Sequence, residues 1–236
     1  MKFALIGHPV AGSLSPVLFK AAYGEAHTYE LFDSESFAEC WQQFLCNYRG
    51  INITAPYKQD AFARCLDLSA DAVATGAVNV VLREGLRGYN TDVDGVQYAL
   101  REVTGSSALV VGTGGAARAA IAAAARMGFR VGVTGRSPEK VAVLEERFGL
   151  GPAPLNPDVV IYTLPGSAPV PPSLPLANAV VLEANYRNPQ LRDVPCRKYI
   201  PGVQWLIGQA LTGFKLFTGE EPAAAALEAS LEHILK

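Results

Sequence analysis

The sequence predicts an α/β protein of two parts: an N-terminal α/β substrate domain and a Rossmann-type dinucleotide-binding domain, with a cleft between them. Three observations carry that expectation. Apolar strand-like runs alternate with helix-period segments, the pattern of parallel strands joined by helices. A glycine turn, "GTGGAA" at 112–117, sits between a strand run and a helix run. A polar stretch, "TGSS" at 104–107, separates two such alternations.

The elements follow in order. "FALIG" at 3–7 is a short apolar strand ending in glycine. "SPVLFKAAYG" reads as a helix with Ser15 as N-cap, Pro16 at the first helical position and Gly24 as the stop. "TYELF" is a second strand, and Phe37, Trp41 and Phe44 then recur at helical spacing. "GINI" and "AVNVVL" are further strands, and "GLRGYN" closes a hairpin with the latter. Between them, "NITAPYK" places Lys58 on a turn at a strand's end, fixed by Pro56. Val93, Val96, Leu100 and Val103 share one helical face.

After the polar linker come the strand "ALVVG", a helix over 115–127, the strand "FRVGVTG" and a helix over 138–148. That last helix is bounded by Ser137, Pro138 and Gly149. Strands "DVVIYT" and "AVVLEAN" flank the proline-rich "PGSAPVPPSLP", a loop with few backbone donors. Helices over 202–217 and 222–235 finish the chain. The expected domains are 1–101 for substrate and 102–204 for dinucleotide, with helices of 205–236 packing back on the first.

Composition narrows the function. The chain has 236 residues, 50% of them hydrophobic and 18% charged, enough to bury a core. A net charge of −2 supplies no basic field for nucleic acid or an acidic membrane. Cys40, Cys46, Cys65 and Cys196 lack C-x-x-C spacing, which suggests a reduced, cytoplasmic protein. "MKFALIGHPV" is broken by Gly7 and Pro9 and reads as a strand rather than a signal peptide. No apolar run is long enough to span a bilayer. His8, His27 and His233 form no cluster, so no metal is expected. The partners expected are small molecules, for a monomer or a homodimer.

Gly112, Gly114 and Ala117 form a G-x-G-x-x-A match in the context that fingerprint needs. Gly112 permits the tight turn, Gly114 lets backbone approach a pyrophosphate, and Ala117 lets helix and strand pack closely. Gly115 and Ala116 open the helix, whose free N–H groups favour phosphate. A tight strand–helix turn without a ligand is the alternative. No acidic residue lies at 132–137 to bind ribose hydroxyls; Arg136 is there instead, followed by Ser137. A guanidinium can fork onto a 2′-phosphate, which favours NADP over NAD. Arg136 as a solvated loop residue is the competing reading.

Polar residues of the first part lie where α/β sheets bind ligands, beyond the carboxyl ends of strands. Ser13 and Ser15 flank a helix start; Asn52, Thr54 and Lys58 follow one strand; Asn79 lies in another, and "YNTD" ends at Asp92. Such short polar groups suit a small polyhydroxylated acid. Each has a structural alternative: a cap for Ser15, a surface ion pair for Lys58 and Asp92, a satisfied turn for Asn79.

The motifs "GHPVAGSLSP", "GINITAPYK", "GAVN", "GYNTDVDG", "GTGGAARA", "EANYRNP" and "QALTGFKLFTG" occur in one order over nearly the whole chain. In that order the chain resembles the shikimate dehydrogenase family. The resemblance implies reduction of 3-dehydroshikimate to shikimate by NADPH, in the route to aromatic amino acids. It implies that Ser13 and Ser15 bind the substrate carboxylate, that Thr54, Asn79 and Gln209 contact the ring's oxygen substituents, and that Tyr186 lies near the carboxylate; Asn52, beside Thr54, is a further substrate-binding candidate. It implies that Lys58 and Asp92 form the catalytic pair, and that Gly112, Gly114, Gly115, Ala116, Arg136, Ser137 and Gly202 hold the cofactor. The chain departs from the family pattern at Gly12, Gly135, "YTLP" (162–165), Glu183 and Trp205. Two alternatives accompany the resemblance. One is a quinate/shikimate dehydrogenase using NAD. The other, motivated by "YTLP" and Trp205, is a non-catalytic binding protein that has kept the fold.

Overall fold

In the computed structural model, which describes residues 1–232, the chain divides into two units. The first comprises Met1–Thr91 with the chain from Gln209 onward, the second Asp92–Gly208.

The first unit is built on a six-stranded sheet. In chain order it contains β1 (Lys2–Gly7), α1 (Ser15–Tyr23), β2 (Thr28–Asp33), α2 (Phe37–Asn47) and β3 (Gly50–Ile53). Next come α3 (Lys58–Arg64), β4 (Asp67–Leu68), α4 (Ala70–Thr75), β5 (Val80–Leu82) and β6 (Arg87–Tyr89). The strand order is β2-β1-β3-β5-β6-β4. β1 pairs in parallel with both β2 and β3, so the chain turns from one side of β1 to the other. Crevices for ligands form at such reversals, outside the strands' carboxyl ends. β5 runs antiparallel to β3 and to β6, the β5–β6 pair being the expected hairpin. One core packs Phe44, Trp41 and Tyr48 against Ile6, Ile51 and Ile53.

The second unit contains α5 (Asp92–Ala99), β7 (Ser107–Val111), α6 (Gly115–Arg126), β8 (Arg130–Thr134), α7 (Pro138–Phe148), β9 (Val159–Tyr162), β10 (Val180–Glu183) and β11 (Lys198–Pro201). Its sheet is wholly parallel, ordered β11-β10-β9-β7-β8. β7 and β9 are buried along their whole length, as parallel strands covered on both faces must be. The reversal falls between β7 and β9, beside the glycine turn.

α8 (Gly202–Thr218) gives its first turns to the second unit and its later turns to the first. In the second unit it crosses α5 at a pair of glycines. A Cβ on Gly208 would meet Tyr98 Cβ at 2.4 Å and Gly95 Cα at 2.9 Å. In the first unit Phe214 and Phe217 join Phe19 and Phe3, with ring centroids 4.9 and 4.8 Å apart. Burying each ring contributes about 1.5–3 kcal/mol. Gly50 makes room for Phe217, which a Cβ there would meet at 2.7 Å. α9 (Ala224–Ser230) packs on α1. The expected 222–235 helix begins instead at Ala224 and α9 ends at Ser230, while 233–235, with His233, lie outside the described residues.

Several local expectations are corrected. Ser15 is the first residue of α1 and not its cap; the N-cap is Leu14, with no side-chain cap bond. Lys58 is not on the turn but opens α3. The expected elements omitted α3, α4, β4 and β11.

Candidate active site

The first cluster of predicted residues gathers where β1 and β3 end. Gly7 allows the approach: a Cβ there would meet Thr54 Cγ2 at 2.3 Å and the Ala55 carbonyl at 2.9 Å. Thr54 N–H donates to the Ile6 carbonyl at 3.0 Å, and His8 N–H to that of Ala55 at 3.1 Å. The loop after Gly7 is tied to the end of β2. Asp33 accepts from Val10 N–H at 2.8 Å and pairs with His8 Nδ1 at 2.7 Å. The Val10 bond, then His8, holds the Asp33 carboxyl below its ordinary value. This loop delivers the two serines. Ser13 Oγ accepts from Ser15 N–H at 3.3 Å and donates to Ser15 Oγ at 3.2 Å, and both are half-buried.

Asn79 is the hub of a second group, only 2% exposed. Its Oδ1 accepts from Thr91 N–H at 2.8 Å, and its Nδ2 donates to Thr91 Oγ1 and to Gln209 Oε1, each at 3.1 Å. Its carbonyl accepts from Ile53 N–H at 2.8 Å and from Asn52 Nδ2 at 3.2 Å. Asn52 Oδ1 in turn accepts from the Tyr29 hydroxyl at 2.7 Å. Thus Asn52, Asn79 and Gln209, far apart in sequence, lie within one hydrogen-bonded group. Thr91 and Tyr29 belong to it as well. Thr91 stood in the quoted "YNTD" motif; no sequence signal marked Tyr29.

Lys58 joins this frame through its backbone, its carbonyl accepting from Val78 N–H at 3.0 Å, one residue before Asn79. The side chain is half-buried. A cation on the first residue of a helix opposes the helix dipole. Asp92 follows Thr91 in the chain, opens α5 in the second unit and is 5% exposed. An acid there does suit the helix dipole.

In the second unit the glycine turn has the geometry the fingerprint requires. Gly112 has φ +126°, and a Cβ there would strike Thr163 Oγ1 at 2.3 Å. Nothing stands within 4 Å of the Cβ position of Gly114, so backbone is open to a ligand there. Gly114 is the N-cap of α6 and brings no side-chain cap to the N–H groups around Gly115 and Ala116, while Ala117 is fully buried. This cradle fits a pyrophosphate. Gly135 stands against it, since a Cβ there would meet Thr113 Cγ2 at 2.9 Å. Arg136 is exposed and, with Thr134, Gly135 and Ser173, borders a cavity of about 370 Å³ otherwise walled by apolar residues such as Val111, Leu164 and Leu174. Ser137 caps α7, its Oγ accepting from Lys140 N–H at 3.3 Å.

The other positions of this unit are packed. Tyr186 lies half-buried in the loop after β10, which Asn185 closes by accepting from Arg187 and Asn188 N–H groups. Gly202 abuts the end of β10; a Cβ there would meet the Ala184 and Glu183 carbonyls at 2.5 and 2.6 Å. Glu183, fully buried, accepts from Gln190 N–H at 2.7 Å, Leu191 N–H at 3.1 Å and the Tyr199 hydroxyl at 2.9 Å. Burial, then the Glu183 bond, pushes the Tyr199 phenol up. Of "YTLP", Tyr162 is fully buried and donates to Gln190 Oε1 at 3.0 Å, and Thr163 Oγ1 donates to the Val111 carbonyl at 2.8 Å. Trp205 is 5% exposed and lies on Gly95, whose Cβ would meet its Cδ1 at 2.4 Å. These departures are absorbed as packing. Among the described residues, no group of three or more His, Cys, Asp and Glu could hold a metal ion, and no helix is long and apolar enough to cross a membrane.

Residues 5–81 match the model of the shikimate dehydrogenase substrate binding domain. A shikimate dehydrogenase (NADP(+)) of Thermus thermophilus is 33% identical over 263 residues, covering 100% of this chain and 99% of that protein. One of Methanothermobacter thermautotrophicus is 30% identical over 270 residues, covering 98% and 95%. Among solved structures, a shikimate 5-dehydrogenase from Thermus thermophilus, in complex with NADP(H) and shikimate, superposes with a TM-score of 0.87 at 30% identity, all of both chains being covered. A 5-ketofructose reductase of Gluconobacter, 23% identical with a TM-score of 0.84, shares the fold. With similarity running the full length of enzymes of one name, the chain belongs to the shikimate dehydrogenase family.

Proposed function

We propose that this protein is an NADP-dependent dehydrogenase that interconverts 3-dehydroshikimate and shikimate, with residues 1–101 and the returning 205–236 segment holding substrate and 102–204 holding the dinucleotide. The observation that carries the reading is the Asn79 group, which fixes Asn52, Thr91 and Gln209 around one buried amide and anchors the start of α3 at Lys58. Such a frame suits a ring bearing several hydroxyls, because each amide can both donate and accept. Ser13 and Ser15 would donate to the substrate carboxylate from the loop pinned by Asp33.

The cofactor supplies or accepts hydride when bound. The chain's own part is to hold the reacting oxygen and to move a proton. As negative charge develops on the carbonyl oxygen, the Lys58 ammonium stabilises it and then gives up a proton, becoming a neutral amine. In the reverse direction that amine takes the hydroxyl proton. Asp92 is assigned to orient the amine and sustain its charge. Gly112, Gly114, Gly115 and Ala116 would cradle the pyrophosphate, with Arg136 and Ser137 at the 2′-phosphate. Gly202 lies at the end of β10, and Tyr186 in the loop that follows.

The reading is tested by mixing purified protein with shikimate or quinate and either NADP+ or NAD+, and following the reduced-nicotinamide band. Shikimate with NADP+ is expected to give the highest kcat/KM. Faster turnover of quinate with NAD+ would replace this reading by the quinate one. Binding of shikimate without any turnover would favour a non-catalytic binding role.

A further inference from the structure

We propose that Glu139 sets the balance between NADP and NAD, by competing with a 2′-phosphate for the hydroxyl of Ser137. The inference rests on the NADP reading above. A Rossmann loop after the second strand reads the ribose with an acid, when the 2′ position is a hydroxyl, or accommodates a 2′-phosphate with an arginine. Here both are at hand, Arg136 in the loop after β8 and, three residues on, Glu139 in the first turn of α7.

Ser137 links them. Its Oγ caps α7 by accepting from Lys140 N–H at 3.3 Å, and gives its own proton to Glu139 Oε2 at 2.6 Å. That bond holds the Glu139 carboxyl below its ordinary value, so the group is ionised at neutral pH. A 2′-phosphate that takes the Ser137 proton must displace the carboxylate and then stand beside a like charge. A ribose 2′-hydroxyl meets no such penalty, because it can donate to the same carboxylate. Glu139 is exposed, and water and salt therefore limit the repulsion to a modest factor.

Calorimetric titration with adenosine 2′,5′-bisphosphate and with 5′-AMP reads this balance without turnover. The proteins compared are the parent chain, Glu139→Gln, and Glu146→Gln as a charge control on the exposed side of α7. Glu139→Gln is expected to bind the bisphosphate roughly threefold to tenfold more tightly, with 5′-AMP unchanged or weaker, and the gain is expected to shrink at high salt. The control is expected to match the parent. An unchanged ratio of the two affinities in Glu139→Gln, or an equal gain in Glu146→Gln, overturns the role of Glu139 and leaves the NADP reading standing. Failure of all three proteins to bind the bisphosphate overturns both.

Discussion

Asn79→Ala is the substitution whose cost the structure specifies most closely. It removes the acceptor of Thr91 N–H and the donor to Thr91 Oγ1 and Gln209 Oε1. Thr91 is 2% exposed, so water does not replace the lost acceptor. Leaving a buried N–H unsatisfied costs about 1–3 kcal/mol. The space vacated by the amide adds about 1 kcal/mol. Gln209 is half-exposed and turns to solvent at little expense. The total of roughly 2–4 kcal/mol corresponds to a fall of roughly 5–15 °C in melting temperature for a chain of this size. Calorimetry on purified variant and parent measures it. A melting temperature within a degree of the parent for Asn79→Ala would refute the hydrogen-bond hub as a source of stability. A raised KM for shikimate should accompany the loss, because Gln209 is no longer held.

Glu183→Gln turns one of the two acceptor oxygens facing Gln190 and Leu191 N–H into a donor, at about 1–3 kcal/mol; hydrogen exchange should speed up at those two amides, and unchanged protection would contradict the account. Asp158 accepts from the backbone N–H and hydroxyl groups of Ser106 and Ser107, and the Ser106 N–H bond above all lowers its pKa. A lowered folded value means stability present above the ordinary aspartate pKa and lost as pH falls through the folded one. The melting-temperature gap between parent and Asp158→Asn should therefore be full at neutral pH and close below about pH 4; an equal gap at both ends would rule this carboxylate out as an acid-sensitive tie.

The second unit was largely readable from its residues, because its signals are local. Ser137, Pro138 and Gly149 bound α7 by capping chemistry, and the glycines at 112 and 114 bear directly on the turn they make. The first unit was harder. α3 and α4 have seven and six residues, too short for a helical period to emerge, and β4 has two. In the second unit β11 escapes the same reading: it begins with an exposed lysine and ends in proline, so no alternating pattern marks it. Ser15 looked like a cap because serine before proline usually is one, yet Leu14 takes that place. Within the site, the residue types of the Asn79 group were visible but their contacts were not, since Asn79 and Gln209 stand 130 residues apart. The departures at Glu183 and Trp205 were visible as letters. Only the packing of Glu183 on two N–H groups, and of Trp205 on Gly95, explains what each does.

The central claim is that one amine both steadies and protonates the reacting oxygen. Its most direct test compares parent and Lys58→Ala for shikimate affinity by calorimetry and for kcat with NADP+. The account predicts kcat lower by about 10²–10⁴-fold with affinity nearly unchanged. Equal losses in both, or a variant that turns over like the parent, would contradict it.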